Sequence, residues 1–183
     1  MKIKQGIMLA LLMISTHALA NETSKVILKE GSNLLDINGD GVDDLVVYSR
    51  FENNTSHPNN TMTIFMIDPQ GKYHILPVAN DIGFTWSDFI LSASTIKIAD
   101  YALYKKPGGY FIVSARKLTG GEHGEDVSDD LPVKFTRYDI NSYQDAPGVP
   151  PYFWEYRGAY MTTEKYHDID DAFVHFTSDM IKP

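Results

Sequence analysis

The sequence contains no cysteine among its 183 residues. Disulfide bridges, thiol nucleophiles and thiolate metal sites are therefore excluded, and stability must come from core packing, supported at most by a bound ion. Basic residues are also scarce, because 16 Lys and Arg stand against 24 Asp and Glu, and the net charge is −8. A chain of this charge is a poor partner for nucleic acids or anionic membrane surfaces, so we expect neither.

The sequence also lacks an apolar run long enough to cross a bilayer as a helix. The apolar segment 7–14 is too short for that; it follows two lysines and precedes Ala18-Leu19-Ala20. This order is typical of a secretory signal peptide. We therefore predict a cleaved signal peptide over 1–20, no membrane anchor, and a periplasmic protein, with secretion to the medium as the alternative. The remaining residues, 21–183, are predicted to form a single globular β-rich domain.

Familiar catalytic signatures are missing too. The six histidines show neither H-x-H nor H-E-x-x-H spacing, and no G-x-S-x-G, P-loop or dinucleotide fingerprint occurs. Ser94-Thr95-Ile96-Lys97 matches the S-x-x-K motif of serine β-lactamases, but the isoleucines at 96 and 98 predict a strand where that chemistry requires a helix. The accompanying S-D-N and K-T-G elements are absent. We therefore predict no catalytic residue.

One histidine has neighbours that are able to bind a metal. His123 lies in a Gly-rich loop with Glu122, Glu125 and Asp126 around it. A solvated acidic loop is the simpler interpretation, and the metal site remains the alternative. Ser94 and His123 are thus the two positions from which an unconventional hydrolase would work.

The most informative stretch is the loop 36–44, which has oxygen-bearing residues at the spacing of a calcium loop. Positions one, three, five, seven and nine hold the predicted ligands Asp36, Asn38, Asp40, Val42 through its carbonyl, and Asp44. Position twelve is Val47 rather than the Glu of an EF-hand, so the loop resembles that of FG-GAP and integrin-type β repeats. We predict a structural Ca²⁺ here. The alternative is a polar turn formed by Asn-Gly and Asp-Gly.

Alternating and apolar segments bounded by turn residues predict strands over 25–29, 45–49, 62–67, 73–78, 96–104, 110–118, 133–138 and 152–160. The stretch 83–92 is compatible with a strand or a short helix. Ile169, Phe173, Phe176 and Met180 form one apolar helical stripe after an acidic helix start. The predicted fold is mainly β, an antiparallel sheet or sandwich, with one C-terminal α-helix, all-β or α+β by class.

Aromatic residues are concentrated in the last predicted strand. Tyr152, Trp154 and Tyr156 share one face of it, and Arg157 lies on the other. Packing against a second sheet is the usual meaning of such a face. The alternative is a cleft in which Trp154, Tyr156 and Arg157 bind a ligand with an apolar body and a carboxylate.

Several segments together resemble a known family. They are the stretch 33–47, N-x-L-D-I-N-G-D-G-V-D-D-L-V-V, the Asn- and His-containing loop before 61–65, and Tyr166-His167-Asp168-Ile169-Asp170-Asp171-Ala172-Phe173. In these segments the chain is similar to the CarF/CarG family of carbapenem intrinsic resistance proteins. The resemblance implies a periplasmic protein that protects a carbapenem-producing bacterium from its own antibiotic without β-lactam hydrolysis. It supplies no catalytic residues.

Three functions therefore compete. The first is a non-enzymatic self-resistance protein that binds the carbapenem or shields its penicillin-binding targets. The second is an unconventional carbapenem hydrolase, and the third is a calcium-stapled secreted interaction module. The sequence leaves a homo-oligomer open in all three.

Overall fold

The computed structural model describes residues 23–52, 54, 58–79, 83–120, 125–143 and 147–181. The predicted signal peptide lies outside these residues. The described chain forms two antiparallel sheets and one short C-terminal α-helix, which confirms the predicted fold class. In this part of the chain, no helix has the length and apolar character needed to cross a membrane.

The strands are, in chain order, β1 (Ser24–Lys25), β2 (Gly31–Leu35), β3 (Asp44–Phe51), β4 (Asn59–Ile67), β5 (Tyr73–Ile75), β6 (Trp86–Ser87), β7 (Phe89–Ile90), β8 (Lys97–Lys106), β9 (Gly109–Lys117), β10 (Leu131–Ser142) and β11 (Tyr152–Tyr166). The N-terminal sheet has the order β2-β3-β4-β5, with β6 paired to β4. The C-terminal sheet has the order β1-β8-β9-β10-β11, with β7 paired to β8. The predicted strands from residue 45 onward are thus confirmed, with shifted ends.

The two sheets pack face to face because each presents alternate apolar side chains to the other. Met62, Ile64 and Met66 of β4 are fully buried, while the residues between them are half-exposed. Leu103 and Ile112 of the C-terminal sheet meet them in a shared core. The period of two that indicated strands in the sequence is therefore the period of burial.

The C-terminal sheet is covered on its second face as well. The α-helix α1 (Ile169–His175) packs there. It buries Ile169, Ala172 and Phe173 against the face of β8, β9 and β10 that points away from the N-terminal sheet. Residues 109–113 of β9 are consequently all buried, since this central strand lies between two cores. This explains why β9 appears in the sequence as a continuous apolar run.

The first predicted strand, 25–29, is wrong in extent. Only Ser24 and Lys25 pair with β8, although Val26 and Leu28 do pack inward and Val26 N donates to Leu103 O at 2.8 Å. The neighbouring strand Gly31–Leu35 is not predicted by the sequence. It begins Gly-Ser-Asn, which has low β propensity, and it forms only because β3 offers a free edge.

The stretch 83–92 contains two short strands rather than one strand or a helix. β6 pairs with β4 in one sheet and β7 pairs with β8 in the other, so the chain crosses between the sheets at Asp88. Asp88 is 1% exposed and accepts hydrogen bonds from Asn60 N at 2.8 Å and Asn60 Nδ2 at 2.7 Å. A buried carboxylate therefore fixes the crossing point.

The C-terminal helix is confirmed, but it is shorter than the apolar stripe from Ile169 to Met180 predicts. Asp168 begins the helix by accepting a bond from Asp170 N at 2.7 Å. The chain leaves the helix at Phe176, whose extended backbone lets its ring stack on Phe135 with centroids 4.4 Å apart. A 3₁₀ turn, Ser178–Met180, follows, and Met180 is exposed, so its placement on the stripe is wrong. Buried Ile181 joins the core instead.

Candidate functional site

The loop 36–44 forms a compact turn held by its own polar side chains. Asp36 Oδ2 accepts from Gly41 N at 2.9 Å, and Asp40 Oδ1 accepts from Val42 N at 2.8 Å. Asn38 donates to Asp40 through Nδ2 at 2.9 Å. The predicted calcium ligands therefore lie close together in one turn, which leads directly into β3.

Asp44 is the buried member of this set. It is 1% exposed, and its two oxygens accept from Ile37 N at 3.0 Å and Ile67 N at 2.8 Å. Burial raises the pKa of this carboxyl to about 6 in spite of those two bonds, with smaller contributions from Asp40 and Asp36. A nearby cation would offset that cost, because an opposite charge favours the ionised carboxylate.

One buried side-chain oxygen of the loop has no hydrogen-bond partner among the described residues. It is Oδ1 of Asp36. This orphaned oxygen fits a cation ligand, and so does the oxygen-only chemistry of the predicted set. Among the described residues, no three His, Asp or Glu side chains are close enough together to hold a metal ion. The calcium assignment therefore stays a prediction.

The same loop joins the two sheets. Tyr110 N donates to Ile37 O at 2.9 Å, and a Cβ on Gly109 would lie 2.6 Å from that same carbonyl oxygen. On the other side of the contact, a Cβ on Gly39 would lie 2.5 Å from Gly108 O. The loop and the β8–β9 turn therefore touch backbone to backbone, which only glycine permits.

Ser94 and Lys97 each have other partners than the one that the S-x-x-K motif requires. Ser94 Oγ accepts from Ile96 N at 3.0 Å in a turn before β8, not at the start of a helix. Lys97 Nζ lies 3.0 Å from Asp170, 3.2 Å from Asp100 and 3.8 Å from Asp88.

The charge state of Lys97 follows from these partners. Burial alone would lower the pKa of its ammonium, but the charges and hydrogen bonds of Asp100 and Asp170 outweigh burial and raise that pKa. These carboxylates favour the charged ammonium, whereas a general base has to be neutral to take a proton from a serine. The second hydrolase candidate is the metal site around His123. Of its residues, His123 and Glu122 lie outside the part of the chain that the structure describes.

The aromatic strand β11 places its three predicted ligand residues in different surroundings. Trp154 is 7% exposed and belongs to the core between the sheets, while Tyr156 is 58% exposed. Arg157 pairs with Glu155 at 2.8 Å, at a bulge where Gly158 and Tyr156 face successive residues of β10. A ligand site at these three residues stays a prediction.

A cleft of about 520 Å³ lies between β6 of the N-terminal sheet and β8, β9 and β10 of the C-terminal sheet. One wall is Trp86, whose ring lies 6.1 Å from Tyr101 and 6.1 Å from Tyr138. Trp154 lies behind this wall, 6.3 Å from Trp86, and Tyr138 also contacts Tyr156 at 6.3 Å. Two of the three predicted ligand residues therefore adjoin a cleft that the sequence did not reveal.

The floor of the cleft is polar. It consists of inward-facing positions of β9 and β10, among them Ser114, Thr136, Arg116 and Lys134. Arg116 and Lys134 are exposed to the cleft and face each other directly across the two strands. The sequence carries a signal for this floor, since the inward alternation of β9 changes from apolar to polar before the strand ends.

A second cavity, of about 410 Å³, lies between α1 and β11. Its walls are mainly aromatic, with Phe135, Tyr160, Tyr166 and Phe176 among them. Thr162, Glu164 and His175 add further polar side chains, and no Lys or Arg lines it.

Comparison with known proteins identifies the family. The model of the family described as "Carbapenem resistance protein CarG-like" matches residues 28–175. A solved structure described as "Crystal structure of CarG" is 40% identical, has a TM-score of 0.80, and covers 87% of this chain and 99% of that chain. No curated protein matches the chain significantly. These matches confirm the resemblance that the segments 33–47 and 166–173 indicated. The chain belongs to the CarG-like family of carbapenem resistance proteins.

Proposed function

We propose that this protein protects a carbapenem-producing bacterium from its own antibiotic, in the periplasm and without hydrolysing the β-lactam ring. It acts by binding the drug or by shielding its penicillin-binding targets. Family membership supports the link to carbapenems. The signal-peptide pattern of residues 1–20 supports the periplasm.

The observation that carries the non-hydrolytic mechanism is the state of Lys97. In an S-x-x-K enzyme the lysine must accept a proton or assist its transfer from the serine. Here the ammonium is bound between carboxylates and its pKa is raised. Ser94 therefore has no base at the position where its motif would supply one.

Expression of the full chain in a carbapenem-sensitive bacterium tests the proposal. We expect survival to rise while the drug in periplasmic extracts keeps the absorbance of its intact ring. Ser94→Ala and His123→Ala should protect as well as the wild type, because neither side chain reacts with the drug. A matched chain without residues 1–20 should give no protection, since carbapenems act on periplasmic targets.

The other results would each favour a different function. Consumption of the drug that is abolished by Ser94→Ala or His123→Ala would establish a hydrolase and contradict the proposal. Absence of protection, together with calcium-dependent binding to an envelope protein or glycan, would favour the interaction module.

We also propose that the loop 36–44 binds a structural Ca²⁺ through Asp36, Asn38, Asp40, the Val42 carbonyl and Asp44. The unpartnered buried oxygen of Asp36 and the burial of Asp44 support it. The ion would neutralise the loop where it joins the two sheets.

Thermal unfolding with millimolar calcium and with a chelator tests the ion. We expect calcium to raise Tm by about 5–10 °C, the gain from a ligand present at roughly a hundred times its Kd. Asp36→Asn and Asp40→Asn should abolish that increment. Asp43→Asn removes the same charge from an exposed neighbour outside the ligand set and should retain it. Equal Tm values with calcium and with chelator would refute the structural ion.

A further inference from the structure

We propose that the cleft between the two sheets is a binding site for a small organic carboxylate with an apolar body, whose carboxylate is bound by Arg116 and Lys134. Carbapenems belong to this chemical class, since a carboxylate is attached to their fused ring. The identity of the ligand rests on the proposed function; the location and the ligand chemistry rest on the residues of the cleft.

Asp100 also lines the cleft, but its carboxylate pairs with Lys97 at 3.2 Å and not with either cation of the floor. Lys134 and Arg116 are directly opposed in the β9–β10 ladder, an arrangement that costs stability for like charges. Among the described residues, neither forms an ion pair. By contrast, Lys106 and Arg137 of the same sheet share the carboxylate of Asp139. A ligand anion between Arg116 and Lys134 would supply the missing charge, and a guanidinium binds a carboxylate with two parallel hydrogen bonds.

The floor of the cleft is polar at positions where a sandwich would ordinarily be apolar. Inward residues of β9 run from buried Ile112 to Ser114 and then Arg116. The neighbouring strand follows the same course in the opposite direction, with Thr136 and then Lys134. The change from apolar to polar side chains begins at paired positions, because Ser114 lies opposite Thr136 and Arg116 lies opposite Lys134. The floor of the cleft is therefore polar rather than a continuation of the core.

The wall of the cleft suits the apolar body of such a ligand. Trp86, Tyr101 and Tyr138 form a contiguous aromatic surface. The volume of about 520 Å³ is within the range of pockets that bind drug-sized molecules.

The cavity between α1 and β11 does not offer this chemistry. No lysine or arginine lines it, so it offers no fixed positive charge to a carboxylate. The exposed Arg157 of β11 is already paired with Glu155. Among the described cavities, the cleft between the sheets thus combines two unpaired cations with an aromatic wall.

Intrinsic fluorescence gives a direct test, because the sequence has 2 tryptophans and both lie at the cleft, Trp86 in its wall and Trp154 behind it. Purified protein is titrated with an intact carbapenem and with its neutral methyl ester. We expect a saturable change with the acid and binding at least about tenfold weaker for the ester, which lacks the charge-assisted bonds. Calorimetry on the same solutions detects binding that leaves the indoles unaffected.

Substitutions then locate the site. The double variant Arg116→Gln/Lys134→Gln should weaken binding of the acid at least about tenfold, and cells that express it should survive the drug less well than cells that express the wild type. Its Tm should equal or exceed that of the wild type, since it removes a like-charge pair. The matched control, Lys72→Gln/Lys165→Gln, removes the same charge from exposed positions outside the cleft and should bind as the wild type does.

The outcomes separate this proposal from the proposed function. If the wild type protects cells but the Arg116→Gln/Lys134→Gln variant binds the acid and protects equally well, the cleft assignment is overturned and the self-resistance function stands. If the wild type does not protect, the function fails, and the titrations alone decide whether the cleft binds a carboxylate. Equal binding of acid and ester, or no binding by either method, overturns the assignment.

Discussion

Replacing Lys97 by Met is expected to lower the free energy of unfolding by about 3 kcal/mol at neutral pH, the lower end of the cost of removing one partner from a buried ion pair, because the Lys97 side chain is 19% exposed. The ammonium lies between Asp88 of the sheet crossing, Asp100 of β8 and Asp170 of the helix. Its loss would leave two shielded carboxylates, at 1% and 14% side-chain exposure, without a cation. Urea denaturation of both proteins measures the difference.

The effect is large because this ammonium connects three parts of the fold. Asp88 holds the chain where it passes from one sheet to the other, through its bonds to Asn60. Asp168 begins α1 and also accepts from the backbone N of Lys97 at 3.0 Å. Methionine retains much of the apolar stem of lysine, so the measured loss reports the charge rather than a cavity.

Acidity should partly restore the variant. Burial already raises the pKa of Asp100 with Lys97 in place, and removal of the ammonium will raise it further. A carboxyl whose folded pKa exceeds its unfolded pKa stabilises the fold below the unfolded pKa and loses that contribution as pH rises through the folded value. The Lys97→Met variant should therefore gain stability from about pH 7 to about pH 5, relative to the wild type.

Lys105→Met is the matched control. This lysine is exposed on the same strand, and the ion pairs of the described residues do not include it. We expect a change of no more than about 0.5 kcal/mol, as for surface substitutions in general. A Lys97→Met variant no less stable than Lys105→Met would refute the role of the buried ammonium.

How far the sequence predicts this fold depends on whether a feature is local. The alternation in 62–67 and the apolar run in 110–118 are local, and both segments are strands close to the predicted bounds. The strand Gly31–Leu35 has no such signal of its own. It depends on pairing with β3, so tertiary context decides it.

The same distinction applies to the candidate site. The oxygen-bearing loop 36–44 is visible in the sequence because its residues are consecutive. The cleft is not, because Trp86, Arg116 and Lys134 come from three strands and meet only after both sheets have formed. The sequence predicts Trp154 as a ligand residue, and in the structure this residue contacts Trp86 of the cleft wall without lining the cleft itself.

Substitution of Gly109 by Ala is the second change for which we expect a large effect. The residue has φ +127, a conformation that side chains disfavour, and the added Cβ would lie 2.6 Å from the carbonyl oxygen of Ile37. Backbone strain of this kind costs about 1–3 kcal/mol, and the overlap with a backbone atom adds to it. We therefore expect a total loss of about 3 kcal/mol or more in the free energy of unfolding.

Gly108→Ala separates the two contributions, because Gly108 has φ +73 in the same turn and its Cβ would meet no atom within 4 Å. It should lose only about 1–2 kcal/mol, the cost of the left-handed backbone. The difference between the two variants then measures the contact of the β8–β9 turn with the loop 36–44. Since Tyr110 N donates to Ile37 O across this contact, Gly109→Ala should also weaken whatever stabilisation calcium gives the wild type. Equal Tm values for the two alanine variants would show that the sheets do not depend on this close approach.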